Sequence, residues 1–144
     1  MQDVQTNFEV DGKVYPLVFN LNVMESIQQE YGSLDAWGDL TDGDAYAKKM
    51  YLQNNPTAKT PWEKLEDDVK ARYKGEPDAK AVIFGFTEMI NEGIDIANDD
   101  LDIKQPYVTK KQVGRLITKY GLTKATKKLN KTVVESAQTP IKNE

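Results

Sequence analysis

Apolar residues alternate with polar ones near the start of the chain and then switch to a helical period, and each regime predicts an element. In "FEVDGKVYPLVF", residues 8–19, Phe8, Glu9 and Val10 alternate up to Asp11-Gly12, and an apolar stretch follows it. Alternation marks strands with one buried face, and Asp-Gly favours a two-residue type I′ turn because both central positions need positive φ. That register pairs Val10 with Lys13 and Phe8 with Tyr15. Pro16 has no N–H to give a ladder, so Tyr15 to Phe19 is expected to continue as an edge or extended segment. A two-stranded hairpin is marginal alone, so helices are expected to cover it.

The helical period begins in "NLNVMESIQQEYGSLDAWGDL". Asn22 and Glu25 have capping-box spacing, Val23, Met24, Ile27 and Tyr31 share a face, and Gly32 is a natural stop. Ser33 caps a short second helix carrying Leu34 and Trp37 back over the first. Residues 41–77 are polar and broken by "TDGD", "NNPTAKTP" and "KGEP", which is turn chemistry. Two helices are expected there, Ala45 to Gln53 and Thr60 to about Tyr73, the second with Pro61 at its first position. The whole stretch reads as an insertion or lid.

"PDAKAVIFGFTEMINEGIDIAND" is apolar over more than half its circumference, through Val82, Ile83, Phe86, Met89, Ile90, Ile94 and Ala97, which puts it in the middle of the domain. Gly85 and Gly93 each cost about 1 kcal/mol against alanine in a helix interior, so close packing is expected at both. Thr109 with Gln112 boxes a helix bearing Val113, Leu116, Ile117 and Tyr120 that stops at Gly121. Thr123 caps the last helix, with Ala125, Leu129 and Val133 inward and Lys124, Lys127, Lys128 and Lys131 outward. The expected fold is mainly α: a compact domain of about five to six helices with a small N-terminal β-hairpin, residues 1–137, followed by a flexible tail, 138–144.

Composition narrows the chemistry. The chain has 144 residues, enough to bury about two-thirds of the surface its unfolded form exposes, without a staple. It has no cysteine and no histidine. That excludes a disulfide framework, thiolate and imidazole catalysis and His- or Cys-ligated metal, and it points away from an enzyme. "MQDVQTNFEV" carries no signal-peptide pattern and no apolar run reaches a membrane span, so a soluble cytoplasmic protein is expected.

Charge is divided by position. Residues 1–102 hold 21 acidic and 9 basic side chains, net −12, and residues 103–144 hold 2 and 10, net +8, for a total of −4. The segment "KKQVGRLITKYGLTKATKKLNK", Lys110 to Lys131, has eight basic residues and no acid. Two helices joined at a glycine invite a helix-turn-helix reading, but Lys127 and Lys128 fall where such a motif needs apolar contacts. Lysines also act as point charges on phosphate, whereas Arg, Asn and Gln read base edges. A solvated basic face is the simpler account. The acids Glu92, Asp95, Asp99, Asp100 and Asp102 supply no calcium-loop register, and "DLTDGD" fails too, because position 12 from Asp39 or Asp42 is Met50 or Gln53. Glu88 and Glu92 read as the polar edge of the central helix. No metal or cofactor site is expected. Trp37 reads as a packing residue, and Trp62, in the polar stretch, as the better candidate for an exposed contact.

Three segments in order, "YPLVFNLNVMESIQQEYGSLDAWGDL", "PDAKAVIFGFTEMINEGIDIAND" and "VTKKQVGRLITKYGLTKATKKLNKTV", resemble the tail assembly chaperones of long-tailed, siphovirus-type bacteriophages and prophages of Gram-positive bacteria. The resemblance covers most of the chain outside residues 41–77 and rests on joint order, not on a chemical motif. It implies a non-catalytic protein of the host bacterial cytoplasm, absent from the finished virion. Such a protein binds the tape measure protein, recruits tail tube subunits and is often made in two lengths by frameshifting. The partner-binding residues expected are Lys111, Arg115, Lys119, Lys124, Lys127, Lys128 and Lys131, with Trp62. The charge division also predicts head-to-tail self-association, since opposite patches on one molecule make a heterologous contact. The alternative is a small nucleic-acid-binding regulator that uses the same basic pair.

Overall fold

The Asp-Gly turn forms as its chemistry requires. In the computed structural model, which describes residues 4–73 and 75–138, β1 (Val4–Val10) and β2 (Lys13–Phe19) pair antiparallel with Val10 opposite Lys13 and Phe8 opposite Tyr15. Asp11 (φ 52°) and Gly12 (φ 81°) both take positive φ, as type I′ demands. Pro16 sits inside β2, opposite Asn7. Counting alternate pairs out from the turn makes this a non-hydrogen-bonded pair, where a strand nitrogen points away from its partner and a missing N–H costs no ladder bond.

Helix α1 (Leu21–Tyr31) starts earlier than its expected box. Asn20, not Asn22, is the N-cap: it has the extended backbone a cap needs (φ −141°, ψ −171°), and its side chain accepts the Val23 N–H at 3.2 Å. Asn22 lies within the first turn and donates to Glu92 at 2.9 Å. Ser33 caps α2 (Leu34–Thr41) and Asp42 caps α3 (Gly43–Asn54). The single helix expected from Thr60 to Tyr73 is instead a 3₁₀ turn, Trp62–Lys64, and a short α4 (Asp67–Ala71). Leu65 (ψ 146°) and Glu66 (ψ 150°) are extended between them. So short a stretch gains more by packing Trp62, Leu65 and Tyr73 on α3 than by propagating a marginal helix.

Helix α5 (Ala79–Asn98), capped by Asp78, runs through the centre. It lies along β2 and packs against α1, α2, α6 (Lys110–Tyr120) and α7 (Leu122–Gln138). Phe8, Leu17, Phe19, Ile27, Trp37, Val82, Phe86, Met89, Ile90 and Leu129 are fully or almost fully buried in this core. The two interior glycines mark the tightest approaches. A Cβ on Gly85 would stand 2.5 Å from Cζ2 of Trp37, and one on Gly93 would stand 2.6 Å from Cβ of Pro16. Trp37 is fixed there by its indole N–H, which donates to the Ala81 carbonyl at 3.0 Å. The seven α-helices and one hairpin among the described residues agree with the mainly α fold expected from the sequence.

Residues 43–73 build a satellite with its own small core. Ala47, Tyr51 and Trp62 are buried with Leu65 and Tyr73 packed on them, and the Tyr51 hydroxyl donates to the Thr60 carbonyl at 2.6 Å. The satellite rests on α2, and the chain returns to the main core where the Asp78 N–H donates to the Leu40 carbonyl at 2.8 Å.

Candidate partner-binding surface

The basic segment folds as two helices separated by one residue. Thr109 and Gln112 form the expected capping box for α6, and Gly121 ends it with φ 102°. Helix α7 begins at Leu122, with the Ala125 N–H on the Gly121 carbonyl at 2.9 Å, so Thr123 lies inside the first turn and is not the cap. Val113 and Ile117 of α6 and Ala125 and Leu129 of α7 turn into the core. Two long-range hydrogen bonds fix α7 to the hairpin: Thr6 with Thr132, hydroxyl to hydroxyl at 2.9 Å, and the Ser136 hydroxyl to the Phe19 carbonyl at 2.9 Å.

That inward anchoring leaves the cations outward. Lys111, Arg115, Lys119, Lys124, Lys127 and Lys131 are exposed and Lys128 is half-buried. Lys119 pairs with Asp11 at the hairpin turn (3.2 Å), Lys131 with Glu135 one turn on (3.8 Å), and the Lys124 ammonium lies 4.9 Å from the Tyr120 ring centroid. Exposed pairs of this kind are worth about 0–1 kcal/mol and dissolve readily into a partner's contacts. Lys127 faces a cavity of about 410 Å³ shared with Asp42, Asp44 and Glu76 where the satellite joins α2.

Trp62 belongs elsewhere. At 9 % exposure it lies in the satellite core, its ring centroid 5.8 Å from that of Tyr51 and 6.2 Å from that of Tyr73. The polar sequence around it suggested an exposed contact; the small local core uses it as the central packing residue instead, with Lys70 laid over the ring at 5.6 Å. It is not grouped with the lysines.

Six acidic residues, Glu88, Glu92, Asp95, Asp99, Asp100 and Asp102, lie along α5 and the connection that follows it. Glu88, Glu92 and Asp95 line a shallow open cavity of about 280 Å³ with Asn22 and Tyr107. The Tyr107 hydroxyl donates to Asp95 at 2.6 Å, and this bond holds the phenol above its ordinary value of 10.0. Two asparagines grip the connection from α5. Asn98 donates to the Gln105 carbonyl (3.0 Å) and accepts the Gln105 N–H (2.8 Å), and Asn91 does the same for Val108 (3.0 and 2.8 Å). Lys104 folds its ammonium onto the carbonyls of Asn98 and Leu101 at the end of α5. Among the described residues no group of three His, Cys, Asp or Glu side chains stands where it would hold a metal ion, and no helix is long and apolar enough to cross a membrane.

Sequence patterning found the lysines, because helical spacing alone places them opposite an apolar face. It missed the grip of Asn91 and Asn98 on Val108 and Gln105, since an asparagine within a helix carries no mark of a partner seven or seventeen positions ahead. The faint signal was Asn98 itself, a polar residue on the apolar side of α5 that is buried. No protein-family model, no curated protein and no solved structure matches the chain.

Proposed function

We propose that the protein is a tail assembly chaperone of a long-tailed bacteriophage or prophage, a non-catalytic factor that binds the tape measure protein and recruits tail tube subunits in the host cytoplasm. The observation that carries this reading is the solvent-facing cationic surface of α6 and α7, braced from behind by the core. A protein that holds a long helical client until assembly needs charges that steer the encounter on a surface that does not itself rearrange. The order of the hairpin, central helix and basic helical pair adds the family resemblance to that physical argument.

A nucleic-acid-binding regulator is the competing reading of the same lysines. A helix-turn-helix joins its helices through a turn of roughly three to four residues. Here Gly121 is the whole junction, and the second helix offers lysines outward. The test is co-expression with the tape measure and tail tube proteins, scored for co-purification and rescue from aggregation. Soluble complexes are expected, weakened by Lys124→Glu combined with Lys128→Glu. No complex with either protein, together with a salt-resistant shift of a specific DNA, would reverse the choice.

A further inference from the structure

The connection between α5 and α6 presents its apolar side chains to water while its backbone is held fast. Ile103 is 87 % exposed, Tyr107 56 % and Leu101 38 %, and Ile96 in the last turn of α5 is 41 % exposed. Large apolar side chains on a loose loop would be unremarkable. Here the two reciprocal asparagine pairs, the Tyr107–Asp95 bond and the Lys104 contacts to the end of α5 fix the segment that bears them. A surface ordered in advance has already met part of the entropy cost of binding. The carboxylates among them, Asp95, Asp99, Asp100 and Asp102, are all exposed.

We infer that this strap, residues 99–108 with Ile96, docks an amphipathic helix of another protein, one whose exposed apolar stripe is flanked by Lys or Arg. Exposed apolar side chains interspersed with exposed carboxylates along one fixed segment complement that chemistry in both its parts, contact and charge. A second copy of this chain meets that chemistry only in part. Its lysines would suit the carboxylates, but the apolar stripe of its own basic helices, Val113, Ile117, Ala125 and Leu129, is buried in its core, and the exposed Leu122 and Val134 of α7 stand three turns apart and make no stripe. The strap uses none of the lysines of α6 and α7, so the inference stands whether or not the chain serves tail assembly.

The probe is a fluorescent amphipathic peptide of Leu, Ala and Lys, titrated with the full chain and read by anisotropy, with a sequence-scrambled peptide as control. Saturable binding of the amphipathic peptide is expected, with slowed amide exchange in residues 99–108. Ile103→Ser changes only an exposed side chain and should weaken binding about tenfold with an unchanged circular dichroism spectrum. Asp100→Asn with Asp102→Asn should weaken it and flatten its salt dependence, while Lys59→Ser, exposed in the satellite, leaves it unchanged. Absence of saturable binding, equal binding to the scrambled peptide or to the Ile103→Ser chain, or protection appearing elsewhere would each overturn the inference. So would self-association of the chain that Ile103→Ser abolishes, because the strap would then be an interface between copies.

Discussion

At the scale of single residues, the two glycines of α5 carry the most information about the core. In an isolated helix either would gain about 1 kcal/mol by conversion to alanine. The packing reverses the sign. The added Cβ would meet Trp37 at 2.5 Å or Pro16 at 2.6 Å, both in buried or half-buried surroundings that have no room to retreat. Gly85→Ala and Gly93→Ala should therefore each destabilise the protein by about 1–3 kcal/mol, seen as a lower urea midpoint at unchanged slope. Gly114, whose Cβ would find Ile83 at 3.6 Å, an ordinary contact, is the internal control. These close approaches were legible in the sequence, because a glycine that costs helix stability on an apolar face needs a packing reason. The Asn20 cap was not, since Asn20 and Asn22 differ only in backbone conformation.

At the scale of elements, the strap has a titratable latch. The hydrogen bond to Asp95 is the largest cause of the raised Tyr107 pKa, followed by the Asp95 charge itself. A group whose pKa is higher in the folded chain stabilises the fold fully below its unfolded value, here 10.0, and loses that contribution as pH rises through the folded value. The latch is thus closed at neutral pH and opens only in alkali, when phenolate and carboxylate repel. Tyr31 is also raised, mainly by burial, so the tyrosinate absorbance of Tyr107→Phe must be subtracted from that of the intact chain. The difference should show one phenol ionising above the ordinary range; ionisation at or below that range would show the latch absent. Helical spacing revealed α1, α5, α6 and the inward face of α7. It misjudged the stretch after Thr60, because Trp62 and Tyr73 find partners on α3 that no local pattern discloses.

For the whole molecule, the division of charge along the sequence is only in part a division of surface: Glu88, Glu92, Asp95, Asp99, Asp100 and Asp102 lie along α5 and the strap and the cations on α6 and α7, yet Lys119 pairs with Asp11 and Lys127 shares a cavity with Asp42, Asp44 and Glu76. Contacts between such surfaces on neighbouring copies would be exposed ion pairs, individually weak and screened beyond about 10 Å at 0.1 M salt. Any head-to-tail self-association should accordingly be weak, favoured at low salt and indifferent to Ile103. Sedimentation velocity at two ionic strengths checks this, and a monomer unchanged by salt at high concentration would remove it. The sequence disclosed the imbalance but not its geometry, because where each sign gathers depends on how α6 and α7 close over the core.

The backbone bond from Asp78 to Leu40 has one further consequence. It brings the two ends of the satellite together, so that residues 43–73 leave and rejoin the main core at almost the same point, with their own Trp62-centred packing carried along. Such a segment is a modular cassette. The chain offers a built-in port at which a short linker or a folded reporter can replace the satellite without threading through the core, leaving the cationic helices and the strap available for labelling experiments.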